Sequence, residues 1–224
     1  MLREQELAAP RRSTQVMASA EDVLVPLIRR LQDGDVKALE PLIRQTERLG
    51  MGLAMARLGH RQTAEDVLQD AFLTVFQEIG RLREPAAFRT WFCRIVENRC
   101  RRLRRRPLPD PLEDDGLAVS GGNTDLLRRL DLQRAMRLLP EEDRSLLFLR
   151  EVQSMSYDEL AVTLGVPLGT VKSRLAEARR RLLAAWNGPQ GAAGTSGGKR
   201  RGRPSKMPFA SLFQVAMWEV CHVV

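Results

Sequence analysis

Residues 64–106 read AEDVLQDAFLTVFQEIGRLREPAAFRTWFCRIVENRCRRLRRR, and the rest of the chain makes sense as support for this stretch. Its first part places Val67, Leu68, Ala71, Phe72, Val75, Phe76 and Ile79 at helical spacing, which predicts a wide apolar stripe turned to a core. The other face carries Asp66, Gln69, Asp70, Leu73 and Gln77 at i, i+3, i+4, i+7 and i+11. Acids and amides around one leucine are more than solvation requires, and such a face suits docking to a basic partner. Pro85 opens the second part as a first-turn residue whose φ is already set. Phe88, Trp91, Phe92, Ile95, Val96, Cys100 and Leu103 make its apolar stripe. Arg89, Arg94, Asn98, Arg99, Arg101, Arg102, Arg104, Arg105 and Arg106 crowd the remaining surface. One helix therefore faces a protein and the next faces phosphate.

Residues 156–182 hold the other strong pattern. Ser156 and Glu159 stand at capping-box spacing. Leu160, Ala161 and Leu164 pack one short helix, Gly165 supplies a tight turn, and Pro167 sits near the next start, with Val171 and Leu175 inward. That is a helix-turn-helix pattern. Thr170, Lys172, Ser173 and Arg174 project from the first turns of the second helix, the turns that enter the major groove in this motif. Lysine and arginine donate to guanine edges or phosphates, and the hydroxyls donate to phosphates. Arg179, Arg180 and Arg181 follow on the outer face.

The totals agree with a polyanionic partner. The formal net charge is +8 over 224 residues, a length for one or two domains, and nucleic acid is the leading candidate. The charge is uneven: residues 89–106 are strongly basic, whereas 107–127 hold Asp110, Glu113, Asp114, Asp115 and Asp125 and no lysine or arginine. Three cysteines and two histidines make neither a disulfide framework nor a spaced metal motif. A zinc site from Cys93, Cys100 and a histidine is the alternative to ordinary packing, which the seven-residue spacing on one helix favours. No metal and no cofactor are expected. Free thiols, no apolar signal core at the N-terminus, and no run of the ~18 apolar residues that a membrane span needs predict a cytoplasmic location without membrane insertion. A phosphate-binding Gly-x-x-x-x-Gly-Lys loop and a nucleophile elbow are both missing, and histidines are too few for acid–base work. No catalytic residue and no small-molecule substrate are expected.

The predicted fold is all-α: two small helical domains joined by a flexible linker, the second with the helix-turn-helix. Residues 1–19 read as a mobile arm. The first domain spans 20–106 and starts with a helix carrying Val23, Leu24, Leu27, Ile28 and Leu31, then an Asp33-Gly34-Asp35 turn. A second helix carries Val36, Leu39, Leu42 and Ile43, where Pro41 is expected to kink it or shift its start. The stretch from Gly50-Met51-Gly52 to Leu58-Gly59-His60 reads as the next helical piece, and Thr63 as the N-cap of the one after. Prolines and glycines mark 107–124 as an acidic linker. The second domain, 125–186, opens with an amphipathic helix and restarts at Pro140-Glu141-Glu142. The tail, 187–224, is glycine-rich, then basic, then apolar. Its KRRGRPSK segment places Arg201, Gly202, Arg203 and Pro204 in an AT-hook-like arm, read either as a minor-groove binder or as a nonspecific basic arm.

Read together, these elements resemble the sigma-70 family of transcription initiation factors, and the small extracytoplasmic-function (ECF) type fits best. Asp66, Gln69, Asp70 and Phe72 match a D-x-x-Q-D-x-F helix, and Phe88, Arg89, Thr90, Trp91 and Asn98 match the F-R-x-W helix ending in Asn and basic residues. GVPLGTVKSRLAEARRRL, 165–182, looks like the family's promoter −35 reader. The resemblance implies core RNA polymerase and promoter DNA as partners, with an anti-sigma factor as regulator. It implies core binding by Asp66, Gln69, Asp70, Leu73 and Gln77. It assigns −10 binding and melting to Arg89, Trp91, Arg94, Asn98, Arg99, Arg101 and Arg102, and −35 binding to Thr170, Lys172, Ser173, Arg174 and Arg179. The rival is a stand-alone DNA-binding regulator that uses only the C-terminal reader; it leaves the acidic helix without a task.

Overall fold

The computed structural model describes residues 20–103 and 124–186, and in them every regular element is helical. Helix α1 (Ala20–Gln32) leads through a 3-10 turn (Val36–Ala38) into α2 (Leu39–Leu58), followed by α3 (Arg61–Glu78) and α4 (Phe88–Leu103). Beyond the undescribed stretch come α5 (Thr124–Arg137), α6 (Glu141–Leu147), α7 (Tyr157–Leu164) and α8 (Leu168–Trp186). The N-terminal arm, most of the expected linker and the whole tail lie outside the described residues, as do Arg104, Arg105 and Arg106.

The first half is built around α2. Gly50 does not interrupt this helix; it lets two others approach. A Cβ there would stand 2.4 Å from Leu68 Cδ1 and 2.9 Å from Phe92 Cζ, so α3 and α4 close onto α2 only because position 50 has no side chain. The expected break at Gly50-Met51-Gly52 is therefore corrected to one continuous helix, which ends at Gly59 in the left-handed region, φ 72°. Pro41 is harmless because the 3-10 turn delivers the chain so that it falls in the first turn of α2, where its missing N–H has no helical partner to lose. The N-cap of α3 is His60 rather than Thr63. Its Nδ1 accepts from the Thr63 backbone N–H at 3.4 Å, with the Thr63 hydroxyl 3.0 Å away.

In the second half, α8 packs against α5, α6 and α7. The capping box at Ser156 forms as the sequence predicts: Ser156 Oγ accepts from the Glu159 N–H at 3.1 Å, and Glu159 Oε2 accepts from the Ser156 N–H at 2.7 Å. Gly165 adopts φ 67° in the turn between α7 and α8, a conformation that favours glycine.

The two halves do not stand apart. Helix α2 packs on α6 and α4 packs on α7. Buried side chains form one continuous core, from Ile28, Leu42, Phe88 and Phe92 through to Leu146, Phe148, Met155 and Leu160.

Candidate protein-docking and nucleic-acid interfaces

Helix α3 buries Ala64, Val67, Leu68, Ala71 and Val75. The opposite face leaves Asp66, Gln69, Asp70, Leu73 and Gln77 exposed, as their spacing predicts. Phe76 departs from the prediction: it sits at the edge of the apolar stripe, is 45% exposed, and joins Leu73, 59% exposed, on the outer face. The signal was present, since Phe76 is i+3 from Leu73 and i+7 from Gln69. Two large apolar side chains ringed by carboxyls and amides form a surface suited to a protein partner.

Helix α4 buries Phe88, Phe92, Val96 and Cys100, while Trp91 and Ile95 are half-buried. The rings of Phe88 and Trp91 lie 5.9 Å apart, and Phe72 stacks on Phe92 at 5.3 Å, which locks α4 to α3. Arg94, Asn98, Arg101 and Arg102 share one outward-leaning face, with Asn98 half-buried and the arginines exposed. Two further arginines of this set are already engaged. Arg99 donates to Thr74 Oγ1 at 2.7 Å and to Asp70 Oδ2 at 3.3 Å, so it joins the candidate nucleic-acid helix to the candidate docking helix. Arg89 donates to the backbone oxygen of Gln153, in the other half, and to its Oε1 at 3.1 Å. The stretch 89–106 thus offers phosphate fewer of its arginines in this arrangement than their number suggests.

Cys93 and Cys100 are buried thiols whose pKa values desolvation pushes up to about 12, which makes them packing groups rather than nucleophiles or thiolate ligands. No group of three or more His, Cys, Asp or Glu able to hold a metal occurs among the described residues. Nothing in the sequence marks Glu97 as a buried acid. It is 1% exposed, and burial raises its carboxyl pKa above the ordinary value, opposed first by Arg57 and then by the Ser145 hydroxyl.

The helix-turn-helix comprises α7 and α8. Lys172, Ser173 and Arg174 are exposed on the first turns of α8, with Thr170 half-buried beside them. Arg179, expected with this group, turns inward: its Nε and Nη2 donate to Glu151 Oε1 at 2.9 and 2.5 Å. Arg181 donates to Asp143 Oδ2 at 2.8 Å, and Arg180 to Glu177. The Arg179–Glu151 and Arg181–Asp143 pairs pin α8 to the α6 region, whereas Arg180–Glu177 lies within α8 itself. The AT-hook-like residues Arg201, Gly202, Arg203 and Pro204 lie outside the described residues.

Comparison with known proteins gives concordant matches. The family model for Sigma-70 region 2 matches residues 42–107, and that for Sigma-70, region 4 matches residues 129–182. The RNA polymerase sigma-H factor of Pseudomonas aeruginosa is 31% identical over 170 residues, covering 68% of this chain and 88% of its own. The ECF RNA polymerase sigma factor SigM of Mycobacterium tuberculosis is 37% identical over 153 residues, covering 66% of this chain and 77% of its own. A solved structure of CnrH in complex with the cytosolic domain of CnrY, 24% identical, covers 73% of this chain and 96% of that one at a TM-score of 0.54, a likeness of fold.

Proposed function

The chain belongs to the sigma-70 family in its ECF group, and from that premise we propose how its surfaces divide the work of promoter recognition. A member of this family is a transcription initiation factor that directs RNA polymerase to promoters; the polymerase, not this chain, makes the phosphodiester bonds. We assign core docking to the outer face of α3, with Gln69 and Asp70 central and Asp66, Leu73, Phe76 and Gln77 around them. Lys172, Ser173 and Arg174, with Thr170, take the −35 element in the major groove. Arg179 contributes there only by giving up Glu151.

The −10 element falls to α4. Strand opening costs a few kcal/mol per unstacked step. Arginine contacts from Arg89, Arg94, Arg99, Arg101 and Arg102, and stacking or pocket contacts near Trp91 and Asn98, offset that cost on the opened strand. The domain division we propose is 20–106 and 125–186, joined by an acidic linker. An anti-sigma factor is the regulator that this reading calls for, and a cytoplasmic location follows from work on the polymerase. No helix among the described residues is long and apolar enough to cross a membrane.

The observation that carries the reading is α3 itself: Leu73 and Phe76 exposed within a face of acids and amides, on a helix clamped to the arginine-bearing α4. Run-off transcription with purified core polymerase tests it, beside Asp70→Arg and Arg174→Ala. Specific transcripts from the wild type that both substitutions abolish are the expected result. DNA binding without core, and no polymerase-dependent transcript, would establish a stand-alone regulator instead.

A further inference from the structure

Residues 199–224 follow the described body and carry a pattern that neither reading surface uses. Lys199, Arg200, Arg201, Arg203 and Lys206 place five cations within eight residues. The next eighteen residues, 207–224, contain one Asp, Glu, Lys or Arg, namely Glu219, among Phe209, Leu212, Phe213, Met217 and Trp218. A stretch this apolar gains about 25 cal/mol for each Å² it takes out of water. The cations beside it select an acidic neighbourhood.

The outer face of α3 meets both demands. Of the large apolar side chains exposed among the described residues, Leu73 and Phe76 alone stand one turn apart on the same helix. Asp66 and Asp70 precede them on that face, so acids and then apolar groups follow in chain order, as cations and then apolar groups do in the tail. Elsewhere the exposed Leu138, Leu168 and Leu183 have Arg137, Lys172 and Arg180 within a turn, and like charge disfavours five more cations there. Several other acids already hold cations. At the seam between the halves Arg57, 5% exposed, stands 3.7 Å from Glu97 and 3.5 Å from Glu142. Arg144, on α6, closes the same region: it donates to Ala56 O at 2.7 Å and reaches Arg57 O at 3.5 Å, capping the carbonyl end of α2. Asp143 and Glu151 hold Arg181 and Arg179. Asp70, by contrast, is largely exposed, and its contact with Arg99 is long at 3.3 Å.

Reach and strength both suffice. Residues 187–198 span up to ~40 Å, about the breadth of a compact body of this size. Ten helical residues from Asp66 to Phe76 cover ~15 Å, and the six from Arg203 to Phe209 extend up to ~20 Å. A ligand tethered on this scale has an effective concentration on the order of 1 mM. A contact of only ~0.1 mM intrinsic Kd therefore fills the face about nine-tenths of the time.

We propose that the basic and apolar tail, 199–224, is an internal ligand of the outer face of α3 and competes there with the polymerase. The proposal rests on the assignment of core docking to that face, and it adds a segment of the same chain that regulates access to it.

Photo-crosslinking in the full chain tests it, with benzoylphenylalanine in place of Phe213. Trypsin releases the α3 face as one peptide, 62–81, since no lysine or arginine lies between Arg61 and Arg81. The free protein is expected to join that peptide to the tail, and saturating core polymerase to lower the yield about tenfold or more. Mixed isotopically heavy and light protein identifies a bond within one chain. Cross-links to the acidic stretch 107–124, to any other peptide, or only to a second copy would overturn the proposal. In a second arm, Phe209→Ser with Phe213→Ser is expected to bind core about tenfold more tightly than the wild type, as release of a site nine-tenths occupied requires. Unchanged affinity overturns the competition. Run-off transcription on the same samples separates the two readings. Transcripts without the 62–81 cross-link sink the tail contact and keep the initiation reading. The cross-link without core binding or any core-dependent transcript keeps the tail contact and sinks that reading together with the competition.

Discussion

Glu97 carries its carboxyl into a site where charge is costly. Burial raises its pKa above the ordinary 4.5, with Arg57 the main opposing influence. Between 4.5 and the raised value the native state holds a proton that the unfolded chain has lost. Its contribution to stability is therefore present at low pH and declines as pH rises through that window. The half-buried carboxyls of Asp35 and Glu177 behave oppositely: hydrogen bonds from Arg30 and Arg180 lower their pKa values, and their contributions fade as pH falls. Glu97→Gln should abolish the downward limb in a plot of unfolding free energy against pH; persistence of that limb would locate the proton elsewhere. Gly50→Ala should cost about 1–3 kcal/mol through overpacking against Leu68 and Phe92. A lower denaturant midpoint at unchanged slope would record it. Neither residue announced itself in the sequence. A glutamate on a basic helix reads as solvated, and a glycine inside a helix reads as a break, because burial and close approach are set by neighbours distant in the chain.

At the level of the element, helical spacing was legible because one face of each helix meets one core. The acidic face of α3, the arginine faces of α4, the capping box of α7 and the Gly165 turn all stand where the periodicity places them. The errors fall at edges. Phe76 sits on the boundary of a stripe, where a rotation smaller than one residue's angle decides between core and solvent. His60 took the cap from Thr63 because an imidazole nitrogen accepts as an oxygen does, a role outside the usual capping preferences. Phe76→Ser should weaken binding to core polymerase by about tenfold or more, as for an apolar anchor within a docking face. Its 45% exposure limits the effect on folding stability. Titration of labelled protein with core, beside a thermal melt, distinguishes loss of docking from loss of fold.

For the whole molecule, the two-part organisation was readable from the proline- and glycine-rich stretch at 107–124 and from two separate motif sets. The seam was not, because contacts between residues some 60 to 90 positions apart leave no local period: Arg89 with Gln153, Arg57 with Glu142, Arg144 with Ala56. The basic tail is a whole-molecule question of another kind: if its arginines bind phosphate, they add to whatever contacts the rest of the chain makes. Arg201→Ala together with Arg203→Ala should flatten the slope of log affinity against log salt by about 2, near 0.9 per phosphate released. An unchanged slope would remove the tail from DNA binding.

The Arg144 guanidinium that ends α2 also bears on engineering. A hybrid that joined the first half of one protein to the second half of another would treat the two as interchangeable modules. Here they share a hydrophobic core, a helix cap and a buried cation. A transplanted second half without an arginine at position 144 and an acid at 142 would leave the α2 carbonyls uncapped and Arg57 with one carboxylate fewer. The unit of exchange for this chain is therefore the part together with its mating surface.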